Sequence, residues 1–315
     1  MNRVAITTTS FGEYDAEPLN LLKRNGFEAV LNLYGRKLKK DEIVELCRDA
    51  IGIIAGTEIL DVDTLECLTK TYSQSSVLNP QSLKVISRCG AGLDNVDLDT
   101  ATRLGIKVFN TPDAPTLAVA ELTVGLILDL LRKVSWMNRE FRDNKWQKRM
   151  GNLLSGKKVG IKGFGKIGKK VAELLKSFSC EIAYADPFVK DGLLGLKRLS
   201  LECLLAWADI VTIHIGVSER LIEKKEFQLM KKGAWLINTS RGGVIDESIL
   251  YEYLKSGYLS GAALDVFEEE PYTGPLKELD NVILTPHIGS YAKEARVRME
   301  MEAVENLLRG LRGKD

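Results

Sequence analysis

The stretch Gly160-Ile161-Lys162-Gly163-Phe164-Gly165-Lys166-Ile167-Gly168-Lys169-Lys170, GIKGFGKIGKK, decides the fold of this chain. The run that leads into it, KKVGIK, reads as a short strand, and IGKKVAELLKSF reads as a helix start. Between them Gly163-x-Gly165-x-x-Gly168 forms a turn. Glycines there let backbone approach a pyrophosphate, and the helix N-terminus offers free N–H groups and the positive end of a dipole. The next strand-like run, EIAYADP, ends in Asp186, where a carboxylate accepts the hydroxyls of a ribose. That acid repels a 2′-phosphate and no arginine follows directly in DPFVK, so the pattern favours NAD over NADP. Lys162 is the anomaly, a charge where a buried parallel strand is ordinarily apolar. In a strand it points opposite to Ile161, which preserves one apolar face. Burying an unpaired ammonium is costly, so Lys162 is expected to reach solvent, a carboxylate or the cofactor.

Outward from the loop, β-like runs alternate with helical patterns from end to end, the mark of parallel α/β architecture. Before the loop the candidate strands are Val4–Thr8, Ala29–Leu33, Ile51–Ala55, Lys84–Ser87 and Lys107–Asn110. A helical pattern from Leu117 to Lys133 follows, apolar nearly all round and therefore expected to be buried. After a polar, turn-rich stretch come strands Lys158–Ile161, Glu181–Ala185, Ile210–Ile215, Trp235–Asn238, Gly261–Val266 and Val282–Leu284. Helices are read at Ile167–Ser177 and Tyr291–Leu308.

With 315 residues, 45% of them hydrophobic, the chain has material for two cores rather than one. Forty-four Lys and Arg against 43 Asp and Glu leave a net charge of +1, which argues against binding nucleic acid or a membrane through bulk charge. The five cysteines (47, 67, 89, 180 and 203) show no CxxC or Cys/His spacing, so neither a disulfide framework nor a metal site is expected. Reduced thiols and the absence of a signal-like apolar start imply a cytoplasmic setting. LTVGLILDLL, the most apolar run, is too short to span a bilayer.

Only two histidines occur, both at strand ends: His214 in VTIHIG and His287 in LTPHIGS. A parallel sheet presents ligand-contacting residues at that edge, although a lone strand-end histidine is more often structural than catalytic. LINTSRGGVIDE places Arg241 before Gly242-Gly243, where small residues permit close approach; its plainer reading is a surface salt bridge. ALDVFEEEP places three acids after another strand, and a solvated charged run is their plainer reading.

Together these blocks resemble the D-isomer-specific 2-hydroxyacid dehydrogenase family, and within it the D-3-phosphoglycerate dehydrogenase-like members. The matching segments are SRCGAGLDNVDLDTATRLGIKVFNTP, VAELTVGLIL, the glycine loop with Asp186, INTSRGGVIDE, ALDVFEEEP and LTPHIGS. The resemblance implies two Rossmann-like, doubly wound α/β domains, with the nucleotide domain inserted into the substrate domain. The substrate domain would be 1–104 plus 287–315, and the NAD-binding domain 105–286. It implies an NAD-dependent oxidoreductase acting on a 2-hydroxy acid, and a homodimer formed through the nucleotide domains and the segment around Trp146. Catalysis would fall to Arg241, Glu270 and His287. The cofactor would be bound by Gly163, Gly165, Lys166, Ile167, Gly168, Asp186, Thr239, Ser240, Arg241, Asp265 and His287, and the substrate carboxylate by backbone at Ala91 and Gly92 with Arg241.

Three departures from the family pattern bear on substrate and cofactor. Lys162 replaces an Ile or Leu. The segment after His214 is shortened to HIGVSERLIEK, with Gly216 in place of a proline. IIAGTEIL lacks the arginine with which many phosphoglycerate-type members hold the phosphate, and Lys148 is the lone cation that could substitute. The length leaves no room for a C-terminal regulatory domain. The substrate reading therefore stays open between 3-phosphoglycerate, glyoxylate or hydroxypyruvate, and a larger 2-oxo acid. A reading from another class, an NAD-sensing protein like the C-terminal-binding-protein corepressors, shares the fold and the three residues. Cys89, beside the expected carboxylate cradle, has the character of a small buried filler.

Overall fold

The computed structural model describes residues 2–69, 83–217 and 219–313. The chain divides into two compact units, Met1–Pro115 with Ser290–Asp315, and Thr116–Gly289.

The first unit is built on five parallel strands: β1 (Asn2–Ile6), β2 (Phe27–Leu31), β3 (Ala50–Ala55), β4 (Val85–Arg88) and β5 (Lys107–Asn110). Their order is β2-β1-β3-β4-β5, which puts a topological switch between β1 and β3. Strand alternation separates two apolar faces. Ala5, Ile53 and Ile86 pack with Ile43, Leu60 and Leu65 on one side. Val4, Ile6, Ile54 and Val85 pack with Met299, Ala303, Val304 and Leu307 on the other. Those last four belong to the helix Lys293–Leu311, which is why the C-terminal end of the chain returns to this unit. A side chain at Gly52 would lie 2.9 Å from Leu307, so glycine permits the helix to sit close on β3. Cys89 is buried in the same core, and burial pushes its thiol up to about 11.

The second unit holds seven parallel strands: β6 (Lys158–Lys162), β7 (Glu181–Ala185), β8 (Lys197–Arg198), β9 (Ile210–Ile213), β10 (Trp235–Asn238), β11 (Gly261–Leu264) and β12 (Val282–Leu284). The order β12-β11-β10-β9-β6-β7-β8 places the switch between β6 and β9, and ligands of such sheets bind beyond the strand carboxyl ends at that point. The apolar pattern after Leu117 is the helix Thr116–Arg132, which buries Val119, Ala120, Leu126, Ile127, Leu130 and Leu131. Val159, Ile161, Val171 and Leu175 share its core.

Two boundaries differ from the sequence expectation. Strand β5 pairs in register with β4, so residues 105–115 belong to the first unit. His287 belongs to the second unit, because the backbone of the two residues after it is bonded to the side chain following β11. β8, a two-residue edge strand, was not expected at all; two charged residues carry no strand periodicity.

Candidate active site

The glycine loop follows β6, and each of its three glycines answers a different demand. Gly163 has φ +89, and a side chain there would lie 2.3 Å from the carbonyl oxygen of His214 at the end of β9. A side chain at Gly168 would meet the Gly163 carbonyl at 2.1 Å, so this residue sets how closely helix packs on strand. A side chain at Gly165 would meet nothing within 4 Å: the space above it is open. Gly165 is also the N-cap of the helix Lys166–Leu175 and carries no side chain to cap it, which leaves the positive end of the helix dipole open to an anionic ligand. Phe164 fixes the loop from below, fully buried and stacked on Tyr184 with ring centroids 3.9 Å apart.

Asp186 stands just after β7. One of its oxygens accepts the N–H of Phe164 and the other that of Phe188, both at 2.8 Å. The carboxylate is thus aimed by the glycine loop itself and keeps lone pairs for a diol. An open glycine, an uncapped helix end and an oriented acid fit a dinucleotide.

The remaining predicted residues of the second unit lie on three adjacent loops, after β10, β11 and β12. Asn238 ends β10 and organises the first loop, accepting from the Ser240 N–H (3.0 Å) and hydroxyl (2.7 Å) and donating to the Arg241 carbonyl (2.9 Å). Thr239 is held to the Thr123 hydroxyl at 2.9 Å. A side chain at Gly242 would come within 1.7 Å of the Phe267 carbonyl, so the loop bearing Arg241 lies directly against the one that follows β11. In that second loop Glu270 accepts the Phe267 N–H at 3.2 Å with one oxygen, and its other oxygen lies 2.9 Å from His287 Nδ1. Both side chains of this pair remain partly open to solvent, and His287 has φ +53, a left-handed conformation unusual for a residue with a Cβ.

Asp265, which the family resemblance assigns to the cofactor, is 1% exposed and devoted largely to the third loop. It accepts the Thr285 hydroxyl (2.6 Å) and the N–H groups of Ile288 (2.8 Å) and Gly289 (2.8 Å). Burial raises its pKa, and these bonds oppose the shift. Asn238, Thr285 and Thr123 hold these loops in place and were missed by motif reading. A polar Asn closing the apolar run WLI was the available signal for the first.

Ala91 and Gly92 follow β4 in the first unit, where Asn110 donates to the Ala91 carbonyl at 2.6 Å. Arg241 donates to the Ser240 carbonyl at 2.8 Å. His214 is buried, its Nε2 2.9 Å from the Thr212 hydroxyl, and burial alone pulls its pKa down to about 3, so it stays neutral. Among the described residues no cluster of His, Cys, Asp and Glu could hold a metal, and no helix is long and apolar enough to cross a membrane.

Comparison with known proteins agrees with this geometry. Residues 124–289 match the family model described as D-isomer specific 2-hydroxyacid dehydrogenase, NAD binding domain. The chain is 36% identical to a hydroxypyruvate reductase of Thermotoga maritima over 291 residues, 89% of this chain and 91% of that one. It is 33% identical to a D-3-phosphoglycerate dehydrogenase of Archaeoglobus fulgidus over 94% of its own length, but spans 56% of that longer protein. The crystal structure of a glyoxylate reductase from Paecilomyes thermophila superposes with a TM-score of 0.83 at 28% identity, covering 98% of this chain and 94% of that one. An NAD-binding unit carrying its acid, its arginine and its paired histidine on successive strand ends, in a chain with these relatives, belongs to the D-isomer-specific 2-hydroxyacid dehydrogenase family.

Proposed function

We propose that this chain catalyses hydride transfer between NAD(H) and a short 2-hydroxy or 2-oxo acid, with Arg241, Glu270 and His287 as its catalytic residues. The observation that carries the reading is the 2.9 Å pairing of His287 Nδ1 with Glu270. It fixes the ring and leaves Nε2 as the exchangeable site, which gives a proton to the carbonyl oxygen in reduction and takes it back in oxidation. Bound NADH supplies the hydride. The Arg241 guanidinium offers planar paired donors for the carboxylate and carbonyl of a 2-oxo acid, polarising the carbon that is reduced. Backbone N–H groups at Ala91 and Gly92 are assigned to the carboxylate.

The end of β3 favours an unphosphorylated substrate such as glyoxylate or hydroxypyruvate. It carries Ala55, and beyond it the buried Glu58, where phosphate-specific members of the family place a cation. Similarity to the Archaeoglobus fulgidus protein favours 3-phosphoglycerate as the second reading. The large exposed side chains Phe141, Trp146, Met150 and Leu153 support a homodimer through that segment, and we assign the protein to the cytoplasm.

The deciding experiment follows NADH oxidation with glyoxylate, hydroxypyruvate, 3-phosphohydroxypyruvate and larger 2-oxo acids. Turnover highest on the first two supports the proposal, and highest on the phosphorylated acid supports the second reading. NADH binding without turnover on any acid overturns both in favour of a cofactor sensor.

A further inference from the structure

Lys162 remains unexplained by the dehydrogenase reading. It is the last residue of β6, in register with Ala185 on β7 and Ile213 on β9. Its side chain leaves the sheet on the face shared with Gly160, opposite to Ile161. On that face lie Leu204 and Ala208, both buried and apolar. Ala183 and Ala185 of β7 are buried in one small cluster with Leu204, so the nearest strand presents methyl groups rather than bulk.

The lysine is half-buried, and the described residues give its ammonium neither a hydrogen bond nor an ion pair. Burial lowers its pKa, and Asp186 is the one charge that opposes the shift. A cation partly withdrawn from water and left without a partner costs stability. Its position is the carboxyl end of the strand beside the switch point, one residue before Gly163. Asp186 is held in place, because both of its carboxylate oxygens accept N–H groups, those of Phe164 and Phe188. The carboxyl ends of β6 and β7 therefore carry, side by side, one fixed acid and one base to which the described residues give no hydrogen bond or ion pair.

A lone acid there rejects a 2′-phosphate by charge repulsion, whereas an acid with a cation beside it presents no net charge. We propose that Lys162 is a cofactor-specificity residue: its ammonium pairs with the 2′-phosphate of a phosphorylated dinucleotide, so the second unit binds NADPH as well as NADH. This rests on the dinucleotide-binding reading of that unit, and it predicts a cofactor range that Asp186 alone does not allow.

The test is equilibrium binding of NADH and of NADPH to the full chain, followed by cofactor fluorescence. It uses the wild type, Lys162→Met and Lys162→Arg, with thermal unfolding run alongside to confirm folding. In the wild type NADPH should bind within about tenfold of NADH. Lys162→Met should weaken NADPH by roughly tenfold or more and NADH by less than about threefold, whereas Lys162→Arg should retain both. Equal weakening of the two cofactors by Lys162→Met, or no change in either, overturns the proposal. So does wild-type NADPH binding more than about a thousandfold weaker than NADH. Should Lys162→Met fail to fold, the wild type is titrated with 2′,5′-ADP and with 5′-ADP. Comparable affinities support the pairing, and a large preference for 5′-ADP overturns it. Absence of NADH binding by the wild type would sink the dinucleotide reading and this proposal together.

Discussion

Asp265 holds Gly289 by a 2.8 Å bond from the Gly289 N–H to a carboxylate that is almost fully buried. Its other oxygen takes Ile288 and Thr285, so the loop that presents His287 hangs from one acid at the end of β11. Asp265→Asn puts an amide donor against one of these N–H groups whichever way the amide turns. The expected cost is about 1–3 kcal/mol of stability, and kcat should fall by roughly tenfold as His287 loses its support. Chemical denaturation and steady-state kinetics check both. A variant with unchanged kcat would show that the loop keeps its shape without the acid.

His287→Ala removes the proton donor while leaving the glycine loop and Asp186 untouched. NADH affinity should stay within about threefold, and turnover should drop by roughly 10²–10⁴. Fluorescence titration and NADH oxidation separate the two quantities. Near-normal kcat would remove His287 from the mechanism.

The glycines offer a paired test, because two alanine substitutions of equal size meet opposite surroundings. Gly165→Ala adds a methyl to open space, so the fold should tolerate it while NADH binding weakens by roughly tenfold or more, the pyrophosphate being displaced. Gly242→Ala drives a methyl to 1.7 Å from the Phe267 carbonyl, which backbone must move to relieve. Destabilisation by about 1–3 kcal/mol or more is expected there, with loss of activity. Melting temperature and NADH affinity together distinguish them, and a reversed pattern would refute the assignment of Gly165 to the cofactor.

How much of this was legible in sequence depends on range. Strand, turn, helix and acid around Gly163–Asp186 are local, and each announces itself within a few residues, so the nucleotide fold could be read directly. The residues that aim the catalytic groups could not. Asn238 looks like the tail of an apolar strand, and Asp265 looks like one acid among several. Their roles arise only when β10, β11 and β12 are laid side by side. The assignment of β5 is a similar case. KVFN reads as a strand in any context, and only its pairing with β4 decides the unit to which it belongs. Lys162 shows the reverse: its oddity was visible at once, yet only the folded arrangement shows that the described residues give it no hydrogen bond or ion pair.

His214 makes the acid side of the stability curve testable. Burial holds its folded-state pKa at about 3, below the ordinary histidine value near 6.5. A depressed pKa means that the unfolded chain binds the extra proton, so the contribution is complete above about pH 6.5 and is lost as pH falls towards 3. The slope from this group is at most about 1.4 kcal/mol per pH unit. His214→Gln should flatten the acid limb of a stability–pH profile measured by denaturation. Parallel profiles for variant and wild type would mean that the site admits the proton while folded.

Glu58 predicts the opposite dependence in the first unit. It is 2% exposed, accepts the Thr7 hydroxyl and the Gly56 N–H (2.9 Å), and its pKa is raised by burial despite the nearby charges of Arg88 and Lys37. A raised carboxyl pKa means the folded state holds the proton longer. The stabilising contribution is therefore present below the ordinary glutamate value and disappears as pH rises through the folded one. Glu58→Gln keeps an acceptor for Thr7 and Gly56 without ever ionising. It should match the wild type in acid and exceed it in melting temperature at neutral and alkaline pH, by a margin that grows as the pH is raised. A wild type that is the more stable of the two at alkaline pH would show that Glu58 works as an ionised partner of Arg88, and the neutral-acid account of this loop would fail.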